Sequence, residues 1–245
     1  MLHDTTLRIV STTTVSFALG FGFVYYYFKN KVKKDLDSFT EFNNWKPFNT
    51  WKTRCKQELI NSGVLINDIR TIDKCMFGNR VGFLYMDVDA SYQGRKVPGK
   101  ILFRGPSCCV LMWCVVDGNI HVLLVRKLRL PTGKFIWEVP AGMVDESDNI
   151  HGKMMDEIME ETGIKPEGDK LHYMGKGFSS CGLLDEEVSF YEMEINRPSS
   201  LNVQSCGTYE EFISDIQLFP IDEICCEDVK FLAARALFAA KNIKY

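Results

Sequence analysis

The spacing of hydrophobic and polar residues changes along the chain and predicts strands in some stretches and helices in others. Residues 109–116, CVLMWCVV, form a continuous apolar run, which is typical of a strand buried in a central sheet. Asp117 and Gly118 are a hairpin-turn pair, and residues 121–126 follow as the partner strand. We expect a mixed α/β core over residues 106–245. Further strands are predicted at 135–139, 171–175, 188–193 and 211–218, and a closing helix at 227–242.

The preceding part of the chain has a β-rich pattern of its own. Residues 81–88 and 100–103 are predicted strands, separated by the turn-prone segment SYQGRKVPGK. A short amphipathic helix is predicted from Thr50 to Ser62. Residues 35–50 are polar and aromatic and contain a proline, which indicates a linker. We therefore expect a small β-rich module over residues 51–105, in front of the α/β domain.

The first residues have the pattern of a membrane anchor. Residues 9–28 contain no charge, and twenty helical residues span roughly 30 Å, the thickness of a bilayer core. Three tyrosines (25–27) lie at the end of this stretch and a lysine cluster follows it, which favours a single-pass helix over 1–34 with the downstream chain in the cytoplasm. An organelle transit peptide, for a mitochondrion or plastid, and a cleaved signal peptide are the alternatives, although bulky tyrosines argue against signal cleavage.

Composition narrows the possible functions. The chain is 46% hydrophobic and 25% charged, as in ordinary globular proteins. Residues 1–34 carry five basic residues and one acidic residue, so the remaining chain has 24 basic against 31 acidic residues. This acidic excess argues against nucleic-acid binding. The nine cysteines contain no CxxC pair, which indicates reduced thiols and no zinc site.

Residues 142–164, GMVDESDNIHGKMMDEIMEETGI, concentrate acidic side chains on a predicted helix. Glu157, Glu160 and Glu161 are spaced i, i+3 and i+4, so they project from one face and repel each other. Mg²⁺, which prefers oxygen ligands, would remove that repulsion, and Mn²⁺ is possible. A solvated acidic face is the simpler interpretation of the three glutamates alone. The helix is predicted to begin after Asp148 or Asn149 and to end at Gly163.

The same stretch resembles the Nudix box in an unbroken register. Asp148 and Asp156 depart from that pattern, where the family has Glu and Arg. The segments WEVPAGMVDE, MFGNRVGFLYMDVD and GRKVPGKILFRGPSCCVL resemble plant-type ADP-sugar diphosphatases of the Nudix hydrolase family. The resemblance implies the Nudix fold, an α/β/α sandwich with a mixed sheet. The matching box positions are Gly142, Glu157, Ile158, Glu160, Glu161, Gly163 and Ile164.

The resemblance also implies roles for individual residues. Arg129 is expected to contact phosphate and Glu138 to contact substrate, whereas Arg126 and Lys127 are equally well explained as solvated strand ends. Glu186, with Glu187 as its rival, is expected to act on the attacking water as a catalytic residue together with Glu160. The β-rich module is expected to support a homodimer. The implied metal ligands are the carbonyl of Ala141 and the side chains of Glu157, Glu160 and Glu161.

The expected reaction is hydrolysis of the diphosphate bond of a nucleoside diphosphate sugar. ADP-glucose or ADP-ribose would give AMP and a sugar phosphate, with Mg²⁺ stabilising the phosphate charge. Because Asp156 stands where the family has Arg, the helix lacks that cation. Lys153, four residues before Glu157, offers a partial replacement. Two alternatives remain open: a catalytically weakened Nudix domain that acts as a sugar-nucleotide sensor, and a membrane-tethered scaffold.

Overall fold

The chain forms two compact units, Met1–Phe103 and Arg104–Tyr245, close to the predicted boundary at residues 105/106. The structure is a computed structural model that describes residues 36, 39–144, 149–199, 201 and 212–242. The predicted membrane span at 9–28 lies outside these residues. Within the described part of the chain, no helix is both long enough and apolar enough to cross a membrane.

The first unit is a helix and a four-stranded antiparallel sheet. Helix α1 begins four residues before the predicted start, with Pro47 in its first turn, where the missing N–H costs nothing. A π-helical turn, Cys55–Ile60, extends the helix. Strand β2 pairs with β1, β3 and β4. The elements are α1 (Lys46–Arg54), β1 (Val64–Phe77), β2 (Arg80–Tyr92), β3 (Arg95–Val97) and β4 (Lys100–Phe103).

The core of the first unit is rich in aromatic side chains. Phe48 and Phe103 are fully buried, and their rings pack edge to face with centroids 5.7 Å apart. The segment predicted as a linker, 35–50, supplies much of this core, because its apolar side chains pack against strands β1, β2 and β4. They include Leu36, Phe42, Trp45 and Phe48.

The second unit contains a seven-stranded mixed sheet, as predicted. Strands β5 and β10 run parallel, and the other pairings are antiparallel. The β5–β6 hairpin turns at Asp117 and Gly118, whose φ angles of 50° and 83° suit a tight turn. The strand order is β11-β6-β5-β10-β9, with β7 beside β6 and β8 beside β5. The strands are β5 (Ser107–Val116), β6 (Asn119–Arg129), β7 (Lys134–Glu138), β8 (Ala141–Met143), β9 (Leu171–Phe178), β10 (Glu187–Glu194) and β11 (Ile213–Pro220).

Two helices, α2 (Ile150–Thr162) and α3 (Val229–Asn242), cover this sheet. Alternate residues of β5 belong to different cores, which explains why this strand is apolar on both faces. This arrangement confirms the predicted mixed-sheet α/β fold. One core joins Met154 and Ile158 of α2 to Val110, Met112 and Leu123, and the other joins Phe231 and Phe238 of α3 to Leu111, Val122 and Leu124.

Helix α2 has the ends that the sequence predicts. The Asn149 side chain accepts a hydrogen bond from the Gly152 N–H at 2.9 Å and caps the first turn. Gly163 closes the helix in the left-handed conformation, at φ 68°. Met154 and Ile158 are buried in the core between α2 and the sheet, whereas Met159 is half exposed.

Candidate active site

The three glutamates of α2 differ in their exposure to solvent. Glu157 and Glu161, one turn apart, are buried with 9% and 2% of their surface exposed, whereas Glu160 is exposed. Of these three glutamates, one therefore faces solvent and two are turned toward the protein. Buried carboxylates require cations or hydrogen-bond donors nearby.

Glu157 is enclosed by strand β8 and by a lysine of its own helix. A Cβ atom at Gly142 would overlap the Glu157 carboxylate, so a larger residue at position 142 would have to displace that side chain. Lys153 Nζ lies 2.8 Å from Glu157 Oε1. Burial raises the pKa of Glu157, and the Lys153 hydrogen bond opposes this without cancelling it. Burial opposes the charge on Lys153, but the Glu157 carboxylate leaves the pKa of Lys153 raised.

Glu161 is held by a lysine from the sheet. The Lys127 ammonium donates to Glu161 Oε1, and only 1% and 2% of these side chains is exposed. Lys127 is therefore not a solvated strand end. Lys127 lies two residues after Val125, on the same face of β6, and Val125 packs against α2.

The structure brings Arg129 and Glu138, the two predicted substrate-binding residues, into one ion pair. Arg129 Nε and Nη2 donate to the two Glu138 oxygens at 2.7 and 2.9 Å. Lys230 of α3 lies 3.5 Å from Glu138 and 3.0 Å from Asp228. Burial alone would raise the pKa of Glu138, but Arg129 and Lys230 hold that pKa below its ordinary value. No pattern in the sequence indicated Lys230, which lies 92 residues after Glu138 in the chain.

Glu186 lies in a loop that is fixed by several hydrogen bonds. Its Oε2 accepts from Ser179 Oγ at 2.6 Å, and its Oε1 is 3.6 Å from Arg104 Nη1. The rival Glu187 pairs with Lys176 at 2.9 Å, at the start of β10. Asp185 accepts backbone N–H groups of residues 104 and 105. Glu186 is therefore the residue of this acidic loop that faces an arginine.

Arg104 joins the Glu186 loop to strand β8. Its Nη2 lies 3.0 Å from Met143 Sδ, one residue beyond Gly142, which contacts Glu157. The predicted catalytic loop is thus linked through Arg104 to the strand that also borders Glu157. Neither Arg104 nor Ser179 was singled out from the sequence.

The chemistry of the predicted metal ligands suits a hard divalent cation. Glu157, Glu160, Glu161 and the Ala141 carbonyl are all oxygen donors, and Gly142 leaves room for the Glu157 carboxylate. In the described ranges, no group of three or more His, Cys, Asp or Glu side chains is arranged around one metal position. Metal binding by these residues stays a prediction.

Comparison with known proteins identifies the family. Residues 108–240, more than half of the chain, match the family described as NUDIX domain. Nudix hydrolase 14, chloroplastic, from Arabidopsis thaliana is 30% identical over 217 residues, covering 78% of this chain and 69% of that protein. ADP-ribose pyrophosphatase from Bacillus subtilis (strain 168) is 24% identical over 168 residues, covering 68% of this chain and 84% of that protein.

A solved structure supports the same fold. The protein described as "Crystal structure of ADP compounds hydrolase" superposes with a TM-score of 0.53 at 15% identity. The superposition covers 73% of this chain and 93% of the solved chain. Together with the box glutamates on α2 and the family match over more than half of its length, this places the chain in the Nudix hydrolase family.

Proposed function

We propose that the chain hydrolyses the diphosphate bond of an ADP-sugar, ADP-ribose or ADP-glucose, and releases AMP and a sugar phosphate. The observation that carries this proposal is the carboxylate face of α2 beside Gly142, with Arg129 and Lys230 in the same unit. The names of two relatives, an ADP-ribose pyrophosphatase and an ADP compounds hydrolase, support the substrate class.

The chain supplies distinct groups for this reaction. Arg129 and Lys230 are paired with Glu138 and Asp228, and they would contact a diphosphate by exchanging these carboxylates for phosphate oxygens. Glu186, oriented by Ser179 and Arg104, would accept a proton from the attacking water. When bound by the α2 glutamates, Mg²⁺ would neutralise phosphate charge and acidify water.

The test is a turnover screen of the full chain with Mg²⁺ or Mn²⁺. ADP-ribose, ADP-glucose, UDP-glucose and a dinucleoside polyphosphate serve as substrates, and AMP release from the two ADP-sugars is expected. Glu160→Gln should abolish this release and leave the circular dichroism spectrum unchanged, because Glu160 is exposed. Glu167→Gln, at an exposed acid paired with Lys170, is the matched control. Full activity of Glu160→Gln would overturn the assignment.

A sugar-nucleotide sensor is the second candidate. It is favoured by the ammonium group of Lys153, which already neutralises Glu157, and by Asp156 in place of the box arginine. Such a protein would bind ADP-ribose without releasing AMP. Isothermal titration calorimetry, combined with chromatography of the same samples, separates the sensor from the enzyme.

We also propose a membrane tether and a homodimer, which rest on the sequence and the family resemblance. Residues 9–28 would anchor the chain, with the catalytic unit in the cytoplasm, and the first unit would support dimerisation. Deletion of residues 1–34 should move the protein from the membrane fraction to the supernatant. Light scattering of the detergent-solubilised chain would measure the oligomeric state.

A further inference from the structure

Lys127 is a cation in the interior of the second unit. Its side chain is 1% exposed, and it extends from β6 toward the helix face that carries Glu161. Its strand neighbour on the same face, Val125, belongs to the apolar core that includes Met154 and Ile158 of α2. An ammonium group therefore stands where the pattern of the strand would place an apolar side chain.

The stability of the fold does not explain this choice. Removing both charges from water costs several kcal/mol per ion in general, and the attraction between the ions roughly offsets that cost. Apolar residues of similar volume at positions 127 and 161 would stabilise the interface about as well. The ion pair instead orients the Glu161 carboxylate, because Lys127 fixes one of its oxygens relative to a rigid sheet.

Helix α2 has no basic residue of its own near Glu161. Residues 154–164, MMDEIMEETGI, contain no Lys or Arg, and position 156 carries an additional negative charge. Lys153 is four residues before Glu157 and pairs with that residue. The cation for Glu161 comes instead from a strand that lies 34 residues earlier in the chain.

We propose that Lys127 is a positioning residue, whose ammonium group holds the Glu161 carboxylate in the orientation that a divalent cation requires. The inference rests on the proposed role of Glu161 as a metal ligand. Lys127 acts through Glu161 and contacts neither metal nor substrate. The sheet thereby supplies the positive charge that the helix lacks at Asp156.

The experiment measures Mn²⁺ binding to the full chain without substrate, by electron paramagnetic resonance of free Mn²⁺. Lys127→Met is expected to weaken the Mn²⁺ affinity about 10- to 100-fold, the usual loss when the partner of a metal ligand is removed. Lys127→Arg should retain more affinity than Lys127→Met, because it keeps the charge. In turnover of ADP-ribose, kcat should fall more than KM changes.

Lys241→Met is the matched control. It removes an ammonium group from a different buried carboxylate, Glu192, which lies on β10 and keeps its hydrogen bond from Trp113. The control should bind Mn²⁺ as the wild type does. If Lys127→Met is not folded at the assay temperature, Lys127→Gln keeps a hydrogen-bond donor, removes the charge and decides the question by the same criteria.

The outcomes separate this inference from the proposed function. Folded Lys127→Met with wild-type Mn²⁺ affinity would overturn the inference, as would equal affinities of the Met and Arg variants or a wild-type chain that does not bind Mn²⁺. Loss of Mn²⁺ affinity in Lys127→Met, with no wild-type turnover of any ADP-sugar, would leave the inference standing and reject the enzymatic proposal.

Discussion

The two lysine–glutamate pairs of α2 use the same chemistry in different surroundings. Lys153 and Glu157 lie on one helix, with 27% and 11% of their side chains exposed. Lys127 and Glu161 join the sheet to the helix, with 1% and 2% exposed. The first pair needs only a helix to form, whereas the second exists only when β6 and α2 are packed together. The cost of removing one partner of a pair should therefore follow its burial.

The largest expected effect comes from breaking the buried pair. Lys127→Met leaves the Glu161 charge in the protein interior without its lysine, and such a loss costs about 3–5 kcal/mol in the free energy of unfolding. Urea denaturation of the full chain measures it. Replacing both partners, Lys127→Met with Glu161→Met, should restore most of the stability, since no buried charge remains. A single variant within about 1 kcal/mol of wild type would contradict this ranking.

The two pairs also differ in how far the sequence could predict them. Spacing alone indicated that Lys153 and Glu157 can pair, and the structure confirms the contact at 2.8 Å. The Lys127–Glu161 pair required the order of the strands and the face of β6 that α2 covers, and neither follows from local pattern. The same holds for Lys230, which reaches Glu138 from a helix 92 residues farther along the chain.

Breaking the Arg129–Glu138 ion pair, which joins strands β6 and β7, should have the second-largest effect on the free energy of unfolding. Glu138→Gln removes charge-assisted hydrogen bonds, for which about 1.5–3 kcal/mol is typical. The folded pKa of Glu138 is lowered, so its contribution is present above the ordinary value of 4.5 and is lost as the pH falls through the folded pKa. The stability gap between wild type and Glu138→Gln should therefore be widest at neutral pH.

Urea unfolding from pH 7 down to pH 3.5 follows this gap. Below pH 4.5 the wild type begins to resemble the variant, because protonated Glu138 also lacks the charge. Glu167→Gln, at an exposed position, should show little gap at any pH. If the difference in unfolding free energy between wild type and Glu138→Gln widened at low pH, the pKa of Glu138 would be raised in the folded protein instead of lowered.

Gly142 of strand β8 is packed tightly against the Glu157 side chain of α2. In Gly142→Ala the new methyl group would overlap the Glu157 carboxylate and push it away from β8. Overpacking of this kind costs about 1–3 kcal/mol, and displacement of Glu157 should also reduce AMP release. Gly182→Ala is the control, because a Cβ atom there has no neighbour within 4 Å in the described structure. Thermal melting and turnover measure both effects, and an unchanged Gly142→Ala would show that Glu157 can relax.

The box residues around Gly142 could be identified from the sequence because their spacing matches a fixed motif. The motif could not show that only Glu160 of the three box glutamates is exposed, since their burial depends on how α2 is rotated about its axis where it packs on the sheet. It also could not show that the side chains of Arg129 and Glu138 meet, because in the β6–β7 hairpin Arg129 lies opposite Lys134 and Glu138 lies opposite Val125. Local pattern thus identified the ligand candidates, and tertiary packing determined their partners.

The smallest expected effect, and the sharpest contrast, comes from Lys153→Met. A partly exposed pair contributes about 0.2–1 kcal/mol, so urea unfolding should shift little. Its ammonium must leave Glu157 before a divalent cation binds there, so the variant should bind Mn²⁺ about twofold more tightly, the equivalent of roughly 0.5 kcal/mol. Lys127→Met should change the affinity in the opposite direction. If both variants weakened Mn²⁺ binding, the two lysines would have one role, and the difference in burial would not separate a competing cation from a positioning one.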